Sequence, residues 1–214
     1  MENSTFKCTG LTKYYSHRLI FENLNFFVSQ NSSVGITGRN GSGKSTLIKI
    51  IAGLVSASKG NFELKVDGND IKKEDFYKYS GLMSPYLNLY DELTGSENLQ
   101  FFMNLKSDKA NSEKEERINF LLESVGLFKR KKDLYKNYSS GMKQRLKLAF
   151  ALLTEPKLLL LDEPCSNLDK EGIEIVYRIA QEQRKNGILI VATNEESDLN
   201  LCDSLINIEE YKTR

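Results

Sequence analysis

Gly38-Arg39-Asn40-Gly41-Ser42-Gly43-Lys44-Ser45 fits the pattern GxxxxGK[ST], a glycine-rich turn that cradles a chain of phosphates. Val34-Gly35-Ile36-Thr37 before it reads as a short strand, and Ser45 to Ala52 after it reads as a helix with an apolar face. Glycines permit both the tight path and the close approach of backbone N–H groups to phosphate oxygens. The helix that follows turns its free N–H groups and positive dipole end toward the anion. Lys44 would reach the outer phosphates, and the Ser45 hydroxyl would ligate Mg2+. A plain glycine turn is the competing reading, but it does not call for Lys-Ser in register between a strand and a helix.

Around this stretch, 214 residues suit one α/β domain with an inserted subdomain. Thirty Lys and Arg against 29 Asp and Glu leave a net charge of +1, which gives no electrostatic footprint for nucleic acid. Cys8, Cys165 and Cys202 are scattered and odd in number, with neither zinc spacing nor a disulfide framework, so a reducing compartment is expected. Met1 to Thr5 lacks the basic and apolar regions of a secretion leader. No apolar run approaches the roughly 20 residues needed to span a bilayer, so any span is expected on another polypeptide.

Strands are predicted over 6–11, 20–28 and 61–66, with Asp67-Gly68 as a hairpin turn. The pattern then turns helical, with helices starting near Glu97, over 113–125 and over 141–153. Lys157-Leu158-Leu159-Leu160-Leu161-Asp162 reads as a strand buried on both faces. A helix over 171–184 and a second buried strand over 187–192 restore the α/β rhythm. The basic run Lys129-Arg130-Lys131-Lys132 reads as a solvated loop. The leucine strand delivers Asp162-Glu163 to its carboxyl end, where ligands of open α/β sheets sit. There Asp162 would hold Mg2+ through water and Glu163 would act as general base on the attacking water.

These segments resemble, in order and over nearly the whole chain, the ATP-binding subunits of ABC (ATP-binding cassette) transporters. Asn40 to Leu47 matches the family's phosphate loop, including Thr46. Tyr15 sits where the family stacks an aromatic on adenine. Leu93-Thr94-Gly95-Ser96-Glu97-Asn98-Leu99 resembles the segment after the Q-loop, Tyr138 to Arg145 the signature sequence, Leu158 to Glu163 Walker B, and Ser166-Asn167-Leu168-Asp169 the D-loop. The resemblance implies a P-loop NTPase core with a mixed, mainly parallel sheet and an N-terminal antiparallel β subdomain. It implies a single domain over 1–214, with core 1–84 and 154–214 and a helical subdomain of about 85–153. ATP and Mg2+ are the implied ligands. Two cassettes would pack head to tail, as homodimer or heterodimer, with Ser139, Ser140 and Gly141 facing the partner's γ-phosphate. Hydrolysis would power a separate membrane permease from the cytoplasmic face of the inner or plasma membrane. Small exporter-type, multidrug-type and haem-exporter-like cassettes are the implied branch.

Three positions depart from the family pattern. The usual Q-loop glutamine falls on Pro85, with Ser84 and Tyr86 beside it as substitutes. Asn194 stands where the family has histidine, and the only histidine, His17, lies near the N-terminus. An amide can donate a hydrogen bond to the γ-phosphate but carries no proton or charge, so slower hydrolysis is expected. Ser140 and Met142 replace a glycine and a glutamine of the signature, which keeps its backbone N–H groups and Ser139. Two other readings stay open: a binding-only regulatory cassette, suggested by Pro85 and Asn194, and a non-transport cassette acting on ribosomes or DNA. The single cassette, short insertion and balanced charge weigh against the latter.

Overall fold

Leu158, Leu159, Leu160 and Leu161 are all fully buried. They form most of β7 (Leu158–Asp162), the second of five strands in a parallel sheet ordered β6-β7-β8-β3-β9. Its neighbours are β6 (Ser80–Met83), β8 (Ile188–Ala192), β3 (Ser33–Thr37) and β9 (Ser204–Asn207). The computed structural model describes residues 4–106 and 110–212. Residues 1–3, 107–109 and 213–214, which belong to the expected leaderless N-terminus, the helical segment and the end of the domain, lie outside it.

Because strand side chains alternate, the leucine run feeds two cores at once. Leu158 and Leu160, with Ile188 and Ile190, pack toward Leu47, Ile48, Ile50 and Ile51 of α1 (Lys44–Ile51) and the inner face of an antiparallel sheet. That sheet runs β2-β1-β4-β5, from β1 (Thr5–Tyr15), β2 (Arg18–Ser29), β4 (Lys59–Val66) and β5 (Asn69–Ile71). It contributes Phe6, Leu11, Phe21 and Leu24. Leu159 and Leu161 pack the other way, against Leu146, Leu148, Val176 and Ile179. Each leucine removed from water contributes about 1.5–3 kcal/mol.

Between β6 and β7 the chain forms α3 (Gly95–Lys106), α4 (Asn111–Ser124) and α5 (Ser140–Ala151), after the single-turn α2 (Phe76–Tyr79). Beyond β7 come α6 (Lys170–Arg184) and the short α7 (Glu196–Leu199). Among the described residues no helix is long and apolar enough to cross a membrane. The α/β class expected from the sequence is the fold observed. The predicted turn at Asp67-Gly68 joins β4 to β5, both residues at positive φ. The strands β6, β5 and β9 are additions to the sequence reading. Pairing Met83 with Leu161, Asp162 with Ala192 and Ile36 with Ala192 brings the carboxyl ends of β6, β7, β8 and β3 to one edge.

Gly81 in β6 lies directly under the end of α5, where an added Cβ would stand 2.0 Å from the Ala151 carbonyl oxygen. Gly81→Ala is therefore expected to cost about 3 kcal/mol or more. Thermal unfolding followed by circular dichroism should then drop by roughly 6–12 °C. A loss within about 1 kcal/mol would mean that α5 is not seated as tightly as this contact requires.

Candidate nucleotide site

After β3 the chain turns through Gly38 (φ 140°) and Gly43 (φ 116°), and Gly43 is the N-cap residue of α1. Positive φ at both positions is why glycine recurs there. Lys44, Ser45 and Thr46 begin α1 and, with Asn40, Gly41 and Gly43, line a cleft of about 700 Å3. Gly38, Arg39 and Ser42 of the same loop are not among its lining residues. Gly38 and Arg39 instead offer their carbonyls to Lys44, at 2.8 and 3.4 Å.

Lys44 is 5% exposed. Its ammonium also donates to Asn194 Oδ1 at 2.7 Å and lies 3.8 Å from Glu163 Oε1. Burial lowers the Lys44 pKa, while Glu163, Asp162 and Glu209 pull it back up. Asn194 closes the far side of the loop, its Nδ2 donating to Asn40 Oδ1. The structure thus brings together Lys44, Asn194, Asn40 and Glu163, residues up to 154 positions apart in the chain.

Asp162 is fully buried. The Ser45 hydroxyl donates to its Oδ1 at 3.0 Å, and the Ser84 hydroxyl, just beyond β6, to its Oδ2 at 3.2 Å. Burial pushes the Asp162 pKa up, countered by these two hydrogen bonds and by Lys49 and Lys44. A hydroxyl and a carboxylate side by side are hard oxygen donors, a set that fits Mg2+ shared with phosphate oxygens. Of the candidates around Pro85, Ser84 reaches the acid, while Pro85 and Tyr86 line the cleft. The Pro85 carbonyl accepts from the buried Lys147 of α5 at 2.9 Å.

Glu163 follows at φ 49°, a strained backbone for a residue with a side chain, and its N–H is held by the Ala192 carbonyl at 2.8 Å. Burial raises its pKa and Lys44 lowers it, while the nearby carboxylates of Asp162, Asp198 and Glu195 add to the net rise. Gln144 of α5 donates to the Glu163 carbonyl at 3.2 Å and to the Pro164 carbonyl at 3.4 Å.

The remaining expected residues stand apart from this cleft. Ser139 caps α5, accepting from Met142 N at 3.2 Å, and Asp169 caps α6, accepting from Gly172 N at 2.9 Å. Neither Ser139, Ser140 and Gly141 nor Asp169 lines the cleft. Tyr15 ends β1 half exposed, with the Lys13 ammonium 4.5 Å over its ring, and is not part of the lining either. Arg18, Ile20 and Lys49 do line it, and the sequence reading missed them. They carry no motif, although the period-2 pattern of β2 places Arg18 and Ile20 on one face.

Residues 21–166 match the family model described as ABC transporter. The chain is 36% identical over 208 residues to the uncharacterized ABC transporter ATP-binding protein YhcH of Bacillus subtilis (strain 168), covering 95% of this chain and 66% of YhcH. It thus spans just under two thirds of the length of that relative. It is 30% identical over 188 residues to the cytochrome c biogenesis ATP-binding export protein CcmA of Vibrio vulnificus (strain YJ016), covering 88% of this chain and 90% of CcmA. Its fold matches a dimeric ATP-binding cassette solved in a post-hydrolysis state with ADP and Pi, at TM-score 0.85 and 23% identity, covering 98% of this chain and 96% of that one.

A carboxyl whose pKa is raised by folding binds more protons in the native than in the unfolded state, so its ionisation lowers stability as pH rises through that window. Glu163→Gln is therefore expected to melt above the native chain at neutral pH, without nucleotide or metal. The gap should close below about pH 4, where the acid is protonated in both states. A variant that melts lower at neutral pH would show that the Lys44 ion pair outweighs the burial of Glu163.

Proposed function

Because this chain belongs to the ABC transporter family of ATP-binding proteins, we propose that it binds ATP with Mg2+ in the cleft at Gly38 to Thr46 and hydrolyses it to drive a membrane permease. The observation that carries this reading is that Lys44, Ser45 and Glu163 line one cleft at the head of α1, with the buried Asp162 bonded to Ser45.

In this reading the loop amides and the start of α1 bind the phosphates, and Lys44 exchanges the carbonyl oxygens of Gly38 and Arg39 for those of the outer phosphates while keeping Asn194. Ser45 and Asp162 would hold the magnesium ion, which neutralises phosphate charge when bound. Glu163 takes a proton from a water as its oxygen bonds to the γ-phosphorus, and the bond from that phosphorus to the bridging oxygen of ADP breaks. Asn194 contributes an uncharged hydrogen bond beside the same phosphate. Tyr15, at the end of β1, is the candidate to stack on adenine. Ser139, Ser140 and Gly141 cap a helix away from their own chain's cleft, which suits a role across an interface, at the nucleotide of a second cassette. Asp169 lies in the segment that would meet that partner. The complex would sit on the cytoplasmic face of the membrane through the permease.

Five expected outcomes test this. Lys44→Ala should abolish ATP binding measured by calorimetry, whereas Glu163→Gln should keep binding and lose turnover by roughly 10²–10⁴-fold. Ser139→Asp preserves a good helix cap yet sets a negative charge against the partner's phosphate, so it should also silence turnover. Mixed Lys44→Ala and Ser139→Asp chains leave one intact composite site, and recovered turnover would identify the second cassette as a copy of this chain. No recovery, with ATP binding intact, would point to a different partner cassette. Asn194→His is expected to raise the turnover of the assembled complex about tenfold or more. Unchanged turnover would remove Asn194 from the account of the rate. Background turnover of that complex with tight ATP binding would favour the binding-only reading.

A further inference from the structure

The reaction described above makes no use of Asp198, a carboxylate 1% exposed in α7. Its Oδ1 accepts from the Tyr177 hydroxyl of α6 at 2.9 Å, and its Oδ2 from the Thr193 hydroxyl at 2.8 Å. A buried carboxylate is costly without donors, and these two donors come from separate segments.

The bond to Thr193 has consequences one residue further on. A carboxylate only accepts, so the single hydroxyl proton of Thr193 goes to Asp198 and the hydroxyl lone pairs stay free. One of them accepts from Glu195 N at 3.0 Å. Thr193 N donates to the Ile36 carbonyl of β3 at 3.2 Å. The backbone is thus fixed on both sides of Asn194, whose side chain receives the Lys44 ammonium at 2.7 Å and reaches Asn40. An ammonium has no acceptor, so it must meet the amide oxygen, and the Nδ2 end must face Asn40.

We propose that Asp198 and Thr193 are positioning residues that hold Asn194 against Lys44 and thereby set the preference of this cleft for a nucleoside triphosphate over a diphosphate. The proposal rests on reading Gly38 to Thr46 as the phosphate site. The two residues touch no ligand themselves. They aim an amide at the ammonium that would meet the outermost phosphate.

The test measures dissociation constants of the full chain for a non-hydrolysable ATP analogue and for ADP, each with Mg2+. Asn194→Ala should weaken the analogue roughly tenfold relative to ADP, the worth of one hydrogen bond to a charged group. Thr193→Val should cost about three- to tenfold in the same ratio, and Thr193→Ser, which keeps the hydroxyl, should restore it. The double variant Thr193→Val with Asn194→Ala should be no worse than Asn194→Ala alone, because both act through one side chain. Asp198→Asn should resemble Thr193→Val; if it does not fold, the Thr193 pair carries the test. An unchanged ratio in folded Thr193→Val, additive losses in the double variant, or an Asn194→Ala chain that keeps its preference would overturn the proposal. Failure of the phosphate-site reading looks different: Lys44→Ala would then leave binding of both nucleotides intact.

Discussion

The carboxylate of Asp162, gripped by the hydroxyls of Ser45 and Ser84, is the contact on which the rest of the site depends. A charge at full burial survives only where donors surround it. Those donors come from α1 and from the segment after β6, so the two must meet at the end of β7. That places the glycine loop, the acid pair and the loop carrying Asn194 within reach of one another. The two-faced apolar strand behind Asp162 makes the meeting point rigid, since neither core can shift without opening a void in the other.

How much of this was legible in the amino-acid sequence depended on how local the cause was. The phosphate loop, β7, β8 and α6 were readable because glycine, leucine and helical periodicity act within a few residues. The strand β6 was not, since Ser80-Gly81-Leu82-Met83 is too short to show a period, and β9 is an edge strand with Leu205 exposed. At the site, Lys44, Ser45, Asp162 and Glu163 were readable as a motif, and the structure places them together. Tyr15 was named by resemblance and stands outside the cleft lining, while Arg18 and Ile20, on the same hairpin, stand inside it. Ser84 was one of two substitutes beside Pro85, and only the pairing of β6 with β7 singles it out. The Asp198 network was invisible because Thr193, Tyr177 and Asp198 carry no spacing rule. Their convergence is a product of packing.

Backbone strain accompanies burial at the site. Glu163 and Asn167 are held at positive φ, at 49° and 62°, in the stretch that joins β7 to α6. Residues with side chains avoid that region at a cost of order 1–3 kcal/mol. The hydrogen bonds of Gln144 and of Ala192 to this stretch hold it there.

Gln144 has a consequence of another kind. It fastens α5 to the backbone of Glu163 and Pro164, and so ties the helix headed by Ser139 to the peptide that carries Glu163. If two such chains close on two nucleotides, each would read its own ligand with Glu163 and its partner's with the head of α5, through one stiff piece of protein. A disturbance at either nucleotide would then be transmitted mechanically to the other. Occupancy of the two sites should be cooperative, in the way that two gears on one shaft cannot turn independently.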